Sequence, residues 1–434
     1  MRSRGVAAIA AASLLTTLTG IGTAGAATDG PRITGDGVAG PATRATSPGG
    51  TIVLIKDHDV WLVRPDGTGL TRVTRDGTAS SPYEAPTMSD TGLIAVARDG
   101  AIVLMRQSGQ VVGSTKPQDL FLPDAGTMWT TPIIEPVISP DGSRLAYSQL
   151  RAIRDFEGRI RTESLTAFAD LDGAIHSIEI GYQPSWITRG RAALNGNGDV
   201  DLYTIGEEQK TNWFDGDDVM PPEDDPFAWY ELSAPEVSPD GELVTFMLAG
   251  GRVVGLAALN GSPAAGAPAK PDLASCFVNE DGEPEDPSFD SPSWGPDSRS
   301  VAFSTPEGIQ VVTDFHLCEN GASLADIVPG GSEPDWSGAT LDPGPALFTL
   351  DRTPSVTGTA KVGKTLTADA GAWTPAPTGV AYRWLRDGKA VKGATGKSYR
   401  LVKADRGHRV SVRVTVERAG YRAAVAQSSA KRVR

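Results

Sequence analysis

The stretch Pro136-Val-Ile-Ser-Pro-Asp-Gly142 decides the fold, because versions of it recur along most of the 434-residue chain. A second intact copy is Pro235-Glu-Val-Ser-Pro-Asp-Gly241. Weaker copies begin at four further prolines, which are Pro86, Pro184, Pro292 and Pro334. Successive opening prolines are separated by 50, 48, 51, 57 and 42 residues. A nearly constant period of this size indicates a repeat architecture.

Each copy of this stretch predicts a β-hairpin. Proline suits the start of a strand, where its missing N–H costs least. Ser-Pro-Asp-Gly suits a tight turn, because proline sets φ, aspartate binds its own backbone and glycine accepts positive φ. Apolar runs such as Leu145-Ala-Tyr-Ser148 follow, and second turns such as Arg64-Pro-Asp-Gly67 come further on. We therefore expect four strands in each repeat.

The two ends of the repeat region complement each other. Residues 51–75 have the pattern of the second, third and fourth strands of a repeat without a first strand. The last copy, at Pro334, supplies a first strand and then ends. Joined together, the two parts complete one blade and leave no free edge. The sequence thus predicts an all-β, six-bladed β-propeller over residues 51–341.

These repeats resemble the TolB-like, WD40-like (PD40) propeller repeats. The segment Asp59-Val-Trp-Leu-Val-Arg-Pro-Asp-Gly-Thr-Gly-Leu-Thr-Arg-Val-Thr74 is similar to the third strand, turn and fourth strand of that family. The resemblance covers residues 51–341 and implies the propeller fold. It says little about function, because such propellers act as protein-binding parts, as enzymes and as protease gates.

The N-terminus has the features of a secretory signal peptide over residues 1–26. Arg2 and Arg4 precede an apolar run over residues 6–18, and Ala24-Gly-Ala26 suits cleavage. Residues 27–50 are expected to be a flexible segment. No later apolar run is long enough to span a membrane. We expect a protein that is secreted, and extracellular or associated with the cell wall.

A second domain is predicted over residues 354–434, after a linker at 342–353. Its predicted strands are Thr365–Ala368, Val380–Arg386, Ser398–Val402, Arg409–Glu417 and Ala423–Ser428. This spacing suits a small β-sandwich. The segments Gly358-Thr-Ala-Lys-Val-Gly-Lys-Thr-Leu366 and Tyr382-Arg-Trp-Leu-Arg-Asp-Gly388 resemble bacterial Ig-like modules of secreted actinobacterial proteins. The resemblance implies a spacer or an adhesive module.

Charge separates the two predicted domains. Residues 354–434 contain 17 Lys and Arg against 4 Asp and Glu, a net charge of +13. Because the whole chain carries −13, residues 1–353 sum to −26. The charges can simply keep each part soluble. The alternative is that the basic domain contacts anionic wall polymers or its own propeller. Nucleic acid is not expected as a partner of an exported chain.

The chain has two cysteines, Cys276 and Cys318. Export permits oxidation, so we predict a disulfide bond between them. Both cysteines are expected in the fifth blade region, flanking its first and second strands.

Long insertions between predicted strands fall on one face of the propeller, so ligand binding is expected there. They cover residues 113–135, 149–164, 195–199, 213–234 and 262–291. Aromatic and basic side chains in these loops are the ligand-binding candidates, namely Trp129, Arg151, Arg154, Trp213, Trp229 and Tyr230. A loop aromatic can equally be a local packing anchor.

Evidence for catalysis or metal binding is weak in this sequence. His58 lies between two aspartates at a predicted turn on the same face and is the single catalytic candidate. Asn197, Asp199 and Asp201 have alternating oxygen donors that could suit Ca²⁺ but lack the distal glutamate of an EF-hand loop. Solvated acidic loops are the simpler interpretation, and no cofactor is expected.

Two hypotheses about function follow. In the first, the protein is a non-enzymatic scaffold whose loop-rich face binds a protein or a glycan of the cell envelope. In the second, the same face holds the active site of a polysaccharide hydrolase or lyase, because sequence does not fix the separation of a carboxylate pair. Converging carboxylates or a histidine at the centre of that face would favour the enzyme.

Overall fold

The computed structural model describes residues 32–33, 48–120, 126–131, 134–154, 158–196, 198–207, 210–220, 232–248, 251, 253–266, 268–279, 289–345 and 348–434. The chain divides into two compact units, Met1–Asp342 (unit 1) and Pro343–Arg434 (unit 2). Most described residues of both units lie in β-strands and the turns between them. In the described part, no helix is both long and apolar enough to cross a membrane.

Unit 1 contains six sheets in its described part, and all their ladders are antiparallel except the one between β1 and β21. The N-terminal strands are β1 (Arg32–Ile33), β2 (Thr51–Lys56), β3 (Asp59–Val63) and β4 (Thr71–Arg72). Sheet I contains β5 (Glu84–Met88), β6 (Leu93–Arg98), β7 (Ala101–Arg106) and β8 (Val111–Thr115). Sheet II contains β9 (Gly126–Thr130), β10 (Ile134–Ile138), β11 (Arg144–Arg154), β12 (Ile160–Asp170) and β13 (Ile175–Ile180).

The remaining sheets of unit 1 follow in chain order. Sheet III contains β14 (Tyr182–Thr188), β15 (Arg191–Asn195), β16 (Asp199–Thr204) and β17 (Thr211–Asp215), and the short helix α1 (Gly216–Val219) follows it. Sheet IV contains β18 (Ser233–Val237), β19 (Leu243–Leu248), β20 (Val253–Ala258) and β21 (Cys276–Asn279), and β1 pairs in parallel with β21. Sheet V contains β22 (Asp290–Trp294), β23 (Val301–Thr305), β24 (Gly308–Thr313) and β25 (Ser323–Pro329), with a 3₁₀ segment at Phe315–Asn320.

Sheet VI joins the two ends of the repeat region. Its first strand is β26 (Ser332–Ser337), which pairs with β2, and β3 and β4 complete the order β26-β2-β3-β4. The register places Thr51 opposite Ser337 and Ile52 opposite Trp336. The prediction that residues 51–75 complete the last repeat is therefore confirmed. The outer ladder lies between β3 and the two-residue strand β4.

The first strands of the six sheets contact one another in cyclic order, from β5 through β10, β14, β18 and β22 to β26 and back to β5. They therefore surround a common axis. Six apolar clusters fill the spaces between successive sheets, as when Trp186 of sheet III packs with Phe168 of sheet II. This arrangement of radial sheets is a β-propeller fold.

One long insertion differs from its prediction. Residues 149–164 were expected to form a loop, but β11 and β12 continue through most of this stretch as a single ladder. It runs from Arg144 opposite Asp170 to Arg154 opposite Ile160. Strand β9 pairs with the far end of β11. The hairpin extends through this stretch because the ladder gives its backbone N–H and C=O groups hydrogen-bond partners, which a loop would have to find elsewhere.

Unit 2 is also built from β-strands. These are β27 (Thr349–Arg352), β28 (Ser355–Thr357), β29 (Thr365–Asp369), β30 (Ala372–Thr374), β31 (Gly379–Arg386), β32 (Lys389–Ala390), β33 (Ser398–Arg400), β34 (Arg409–Glu417), β35 (Ala424–Gln427) and β36 (Lys431–Arg432). Strand β27 lies in the predicted linker but pairs with β30. The other sheets are β28-β29-β33 and β32-β31-β34-β35, with β36 beside β34. Trp384, Leu366 and the valines of β34 form their shared core.

Candidate functional site: carboxylates around the propeller axis

The residue before the opening proline has the same unusual backbone in all six sheets. Its φ lies between 45° and 54°, in the left-handed region that non-glycine residues seldom adopt. The six residues are Ala85, Glu135, Gln183, Ala234, Ser291 and Glu333. The ladder between the first and second strands is irregular at the same place in every sheet. A proline cannot donate to the ladder, so a bulge forms beside it.

Three of these residues link neighbouring sheets through their side chains. Glu333 accepts the backbone N–H of Ala85. Glu135 accepts the N–H of Gln183, and Gln183 Oε1 accepts that of Ala234 at 2.7 Å. A carboxylate or amide at this position therefore satisfies a backbone donor of the next sheet. The glutamates consequently have a structural role in ring closure.

A second layer of links lies two residues further along the first strands. Asp335 accepts the N–H of Met88 at 2.6 Å. Glu236 accepts the backbone N–H of Trp294, and Ser293 Oγ accepts the N–H of Trp336 at 2.9 Å. Sheets VI and I, IV and V, and V and VI are joined in this way.

The two layers bring carboxylates from five of the six sheets to the axis. We call them the axial acidic cluster, which consists of Glu84, Glu135, Glu236, Asp290, Glu333 and Asp335. Burial, followed by the negative charges of Asp290 and Glu333, raises the pKa of Glu135 to about 7. Burial, followed by the charges of Asp290 and Glu84, raises the pKa of Glu333 to about 7. Sheets II, V and VI thus direct their carboxylates towards one region.

The other members of the cluster are shifted in the same direction. Burial, followed by the charge of Asp90, raises the pKa of Asp335 to about 6. Burial and the charge of Asp335 raise the pKa of Glu236. Desolvation by neighbouring protein atoms raises the pKa of Asp290, although the residue as a whole is exposed to solvent. The pKa of Glu84 is raised by burial and by Asp99.

No ion pair among the described residues neutralises the axial acidic cluster. Glu135 Oε2 and Glu236 Oε2 are buried and have no hydrogen-bond partner in that part of the chain. A carboxyl group with a pKa near neutrality can carry a proton at pH 7 and so donate as well as accept a hydrogen bond. The cluster can therefore bind polar or cationic groups, or supply a general acid.

Four members of the cluster form its upper layer, namely Glu84, Glu135, Asp290 and Glu333, and this layer lies at the loop-rich end of the propeller. Glu84 and Asp290 are the first residues of β5 and β22, where the connections between sheets arrive. The candidate His58 is at the same end, in the two-residue turn between β2 and β3, with φ of 67°. Its side chain is exposed, and its carbonyl accepts the N–H of Tyr83 at 3.1 Å.

The predicted ligand-binding arginines differ in accessibility. Arg151 is 2% exposed and forms an ion pair with Glu163, its neighbour across the β11–β12 ladder. It therefore holds the hairpin together instead of presenting its charge to a ligand. Arg154 is exposed, and its guanidinium donates to the carbonyl of Gly158 at 2.9 Å.

The predicted aromatic candidates lie in different parts of the propeller. Trp213 is 4% exposed, packs edge-on against Phe214 and donates its indole N–H to the carbonyl of Ala269 at 3.2 Å. It is a core residue between sheets III and IV, which is the packing role left open by the sequence. Trp129 lies in β9 opposite Ala152. Trp229 and Tyr230 lie outside the described residues.

One of the three Ca²⁺ candidates, Asp201, is already in an ion pair. Asp201 is 5% exposed and binds Lys210 Nζ at 2.5 Å, so a cation of the protein already neutralises it. Asn212 donates to Asp199 at 3.1 Å. Asn197 lies outside the described residues. Within the described ranges, no group of three or more histidine, cysteine, aspartate or glutamate residues is placed to hold a metal ion.

Cys276 and Cys318 form the predicted disulfide, with their Cα atoms 5.5 Å apart. Its place differs from the prediction. Cys276 belongs to β21, the fourth strand of sheet IV, while Cys318 lies in the 3₁₀ segment of sheet V. The bond therefore joins two neighbouring sheets. The assignment was wrong because the long segment before Cys276 obscured which repeat it completes.

Sequence reasoning missed the axial acidic cluster, although a signal was present. Glu135 and Glu333 directly precede their repeat prolines, and Gln183 has the same position. An ionisable residue at an inner-strand position of a repeat could have been assigned to the axis. The prolines were interpreted only as strand starts.

Comparisons with known proteins bear on the fold alone. TolB from Acinetobacter baumannii has 15% sequence identity and a TM-score of 0.36, with 67% of each chain covered. A putative TolB from Agrobacterium tumefaciens has 13% identity and a TM-score of 0.37, covering 66% of this chain and 92% of that one. The Myceliophteria thermophila Cps50 (Swd1) β-propeller domain has 12% identity and a TM-score of 0.35, covering 66% and 87%. No family model and no curated protein matches the chain.

Proposed function

We propose that the chain is an exported binding protein with a six-bladed TolB-like propeller and a C-terminal Ig-like module. The propeller recognises a protein or a glycan of the cell envelope through its loop-rich end. The Ig-like module spaces or tethers the propeller by contacting anionic wall polymers. The signal-like N-terminus and the opposite charges of the two parts support this proposal.

The axial acidic cluster is the observation that carries the binding role. Its upper layer gathers Glu84, Glu135, Asp290 and Glu333 at the end where the insertions lie. Carboxylates that are partly desolvated and lack a cationic partner are costly even when half-buried, as Glu84, Glu135 and Glu333 are. A ring that retains them suits a partner that supplies N–H or O–H donors. A rigid ring also lowers the ordering cost of binding.

A comparison of two charge-matched variants tests this role. E135Q/E333Q removes two charges at the axis and keeps the side-chain acceptors, as Gln183 already does in sheet III. E242Q/D314N removes two charges from turns at the opposite end. Both would be compared with the wild type on a glycan array and against fractionated envelope proteins. We expect at least a tenfold loss of affinity for E135Q/E333Q alone. Equal binding by all three proteins would exclude the axis as the binding site.

A polysaccharide hydrolase is the second candidate. The convergence of carboxylates at the axis and the raised pKa values of Glu135 and Glu333 favour it, as expected for an enzyme. It ranks second because both side chains already accept backbone N–H groups of neighbouring sheets. A glycosidase needs one carboxyl group that stays protonated near neutrality and one that is ionised. The single variants E135Q and E333Q separate the two roles. An enzyme would lose hydrolysis by at least a hundredfold and keep substrate binding. A binding protein would release no reducing sugar before or after substitution.

A further inference from the structure

Two pairs of arginines face each other across neighbouring strands in unit 2. In the sheet β32-β31-β34-β35, Arg383 of β31 lies opposite Arg413 of β34. Near the start of β34, Arg409 lies opposite Arg432 of β36. We call these four residues the arginine face.

The alternation of side chains along β34 fixes the side of the sheet on which the arginine face lies. Alternate residues of this strand are fully buried in the core, namely Val410, Val412, Val414 and Val416. Successive side chains of a strand point to opposite sides, so Arg409 and Arg413 point away from the core. Directly opposed residues share a side, which places Arg383 and Arg432 beside them. All four side chains are exposed.

The repulsion within each pair is not relieved by a carboxylate. Like charges directly opposite in a sheet destabilise it. Arg386, on the same strand as Arg383, binds the buried Asp405, but no ion pair of the described residues involves the arginine face. Asp387, at the turn beside Arg409, is occupied by the backbone N–H of that residue and by His408. A bound anion would relieve the repulsion.

The chemistry of the pairs selects the anion. A guanidinium group matches the oxygens of a phosphate with two parallel N–H donors. Opposed residues have Cβ atoms about 5 Å apart, so both members of a pair can contact one phosphate. The two pairs are four residues apart along β34, or about 13 Å at the usual rise of about 3.3 Å per residue. A linear polymer with repeated phosphates can therefore contact both.

We infer that the arginine face binds a linear polyol phosphate, with one phosphate at each arginine pair. The inference rests on the proposed tethering role of unit 2 and names its site and its partner class. The residues that share this side of the sheet with the arginines favour such a polymer over nucleic acid. Leu385 and Ser411 lie between the two pairs on this side and are buried. The side has no aromatic ring on which a base could stack. Its other residues on β31, β34 and β35 are Gly379, Ala381, Thr415, Glu417, Val425 and Gln427.

Binding of the full chain to a synthetic poly(glycerol phosphate) tests the inference. R383Q/R413Q removes one arginine pair. The control K364Q/R400Q removes two exposed charges from the sheet β28-β29-β33, where Lys364 directly precedes β29 and Arg400 ends β33. We expect at least a tenfold loss of affinity for R383Q/R413Q and less than a twofold loss for K364Q/R400Q. The slope of log affinity against log salt should also become less steep for R383Q/R413Q than for K364Q/R400Q, because fewer counterions are released.

The outcomes distinguish the inference from the tethering role. Equal losses in both variants would leave an electrostatic tether and overturn the arginine face as its site. No binding by the wild type would overturn both. Tighter binding to a single-stranded oligonucleotide of equal charge would overturn the choice of polymer. Melting of R383Q/R413Q at or above the wild-type temperature would confirm that a loss of binding is not a loss of folding, because the substitution removes a repulsive pair.

Discussion

Both units withdraw carboxylates from water, fully for Asp405 and partly for Glu135 and Glu333, but they treat the charge in opposite ways. In unit 2, Asp405 is fully buried and accepts from Arg386 at 2.7 Å, from Tyr399 Oη at 3.0 Å and from the N–H of Val402 at 2.7 Å. In unit 1, Glu135 and Glu333 are surrounded by other carboxylates and lack an ion-pair partner among the described residues. Pairing offsets much of the cost of desolvating a charge, whereas a group of unpaired charges leaves that cost uncompensated. Their retention therefore suggests a role in function.

Deleting residues 51–75 should have the largest effect on folding, and only unit 1 should be affected. The deletion removes β2, β3 and β4 and leaves β26 without its ladder. An open propeller exposes a strand edge and the apolar spaces on either side of it, so we expect aggregation. Unit 2 has its own core and should still unfold cooperatively. Size-exclusion chromatography and calorimetry check this, and a monomer with unchanged melting would contradict closure through sheet VI.

Removing the disulfide with C276S/C318S should destabilise unit 1 by about 4 kcal/mol, from the loop entropy of the unfolded chain. The bond joins sheets IV and V, so the melting transition of unit 2 should not move. Urea unfolding followed by tryptophan fluorescence measures the change. Free-thiol labelling of the unfolded, unreduced wild type should find no reactive thiols, and labelling of both cysteines would disprove the bond in the isolated protein.

The variant D405N should destabilise unit 2 by about 3 kcal/mol, because it leaves Arg386 without its buried counter-charge. The matched substitution R386Q should cost a similar amount. The double variant D405N/R386Q should lose much less than the two single changes together, since neither partner then stays behind uncompensated. Strict additivity in a double-mutant cycle would show that the two residues do not act as a pair.

The variant E135Q/E333Q should have the smallest effect on stability, and it should stabilise unit 1 where the other changes destabilise their units. Folded-state pKa values near 7 lie above the ordinary value of 4.5, so the folded protein holds more protons than the unfolded chain between these values. Unit 1 therefore loses stability as pH rises through this window. Moving two pKa values from 4.5 to about 7 would in full be worth several kcal/mol, but both side chains are half-buried and screened by solvent. Because glutamine cannot ionise, the variant should be more stable than wild type by about 1–2 kcal/mol at pH 8 and equal to it at pH 4.

Gln183→Glu is the control for this prediction, because it adds a carboxyl group to the same layer of the axis. Thermal melting across pH 4 to 8 should show a steeper loss of stability for this variant than for the wild type. A gain for Gln183→Glu at pH 8, or an equal pH profile for all three proteins, would mean that the axial carboxylates do not repel one another.

The sequence by itself determined the repeat, its strands and turns, and the joining of residues 51–75 to the last copy at Pro334. These features depend on backbone chemistry within a few residues, such as the missing N–H of proline and the positive φ of turn glycines. The strand Arg409–Glu417 was predicted with its observed bounds. Its pattern is also local, because valine at every second position predicts a strand with one face in the core.

Only the tertiary structure decided which distant residues meet. Glu135 and Glu333 come together because the ring closes, and Arg383 faces Arg413 because β31 and β34 pair in one register. The same holds for Trp213, whose place between two sheets turned a candidate ligand residue into a core residue. Local patterns specify strands, whereas burial, pKa shifts and opposed charges depend on neighbours that long-range packing supplies.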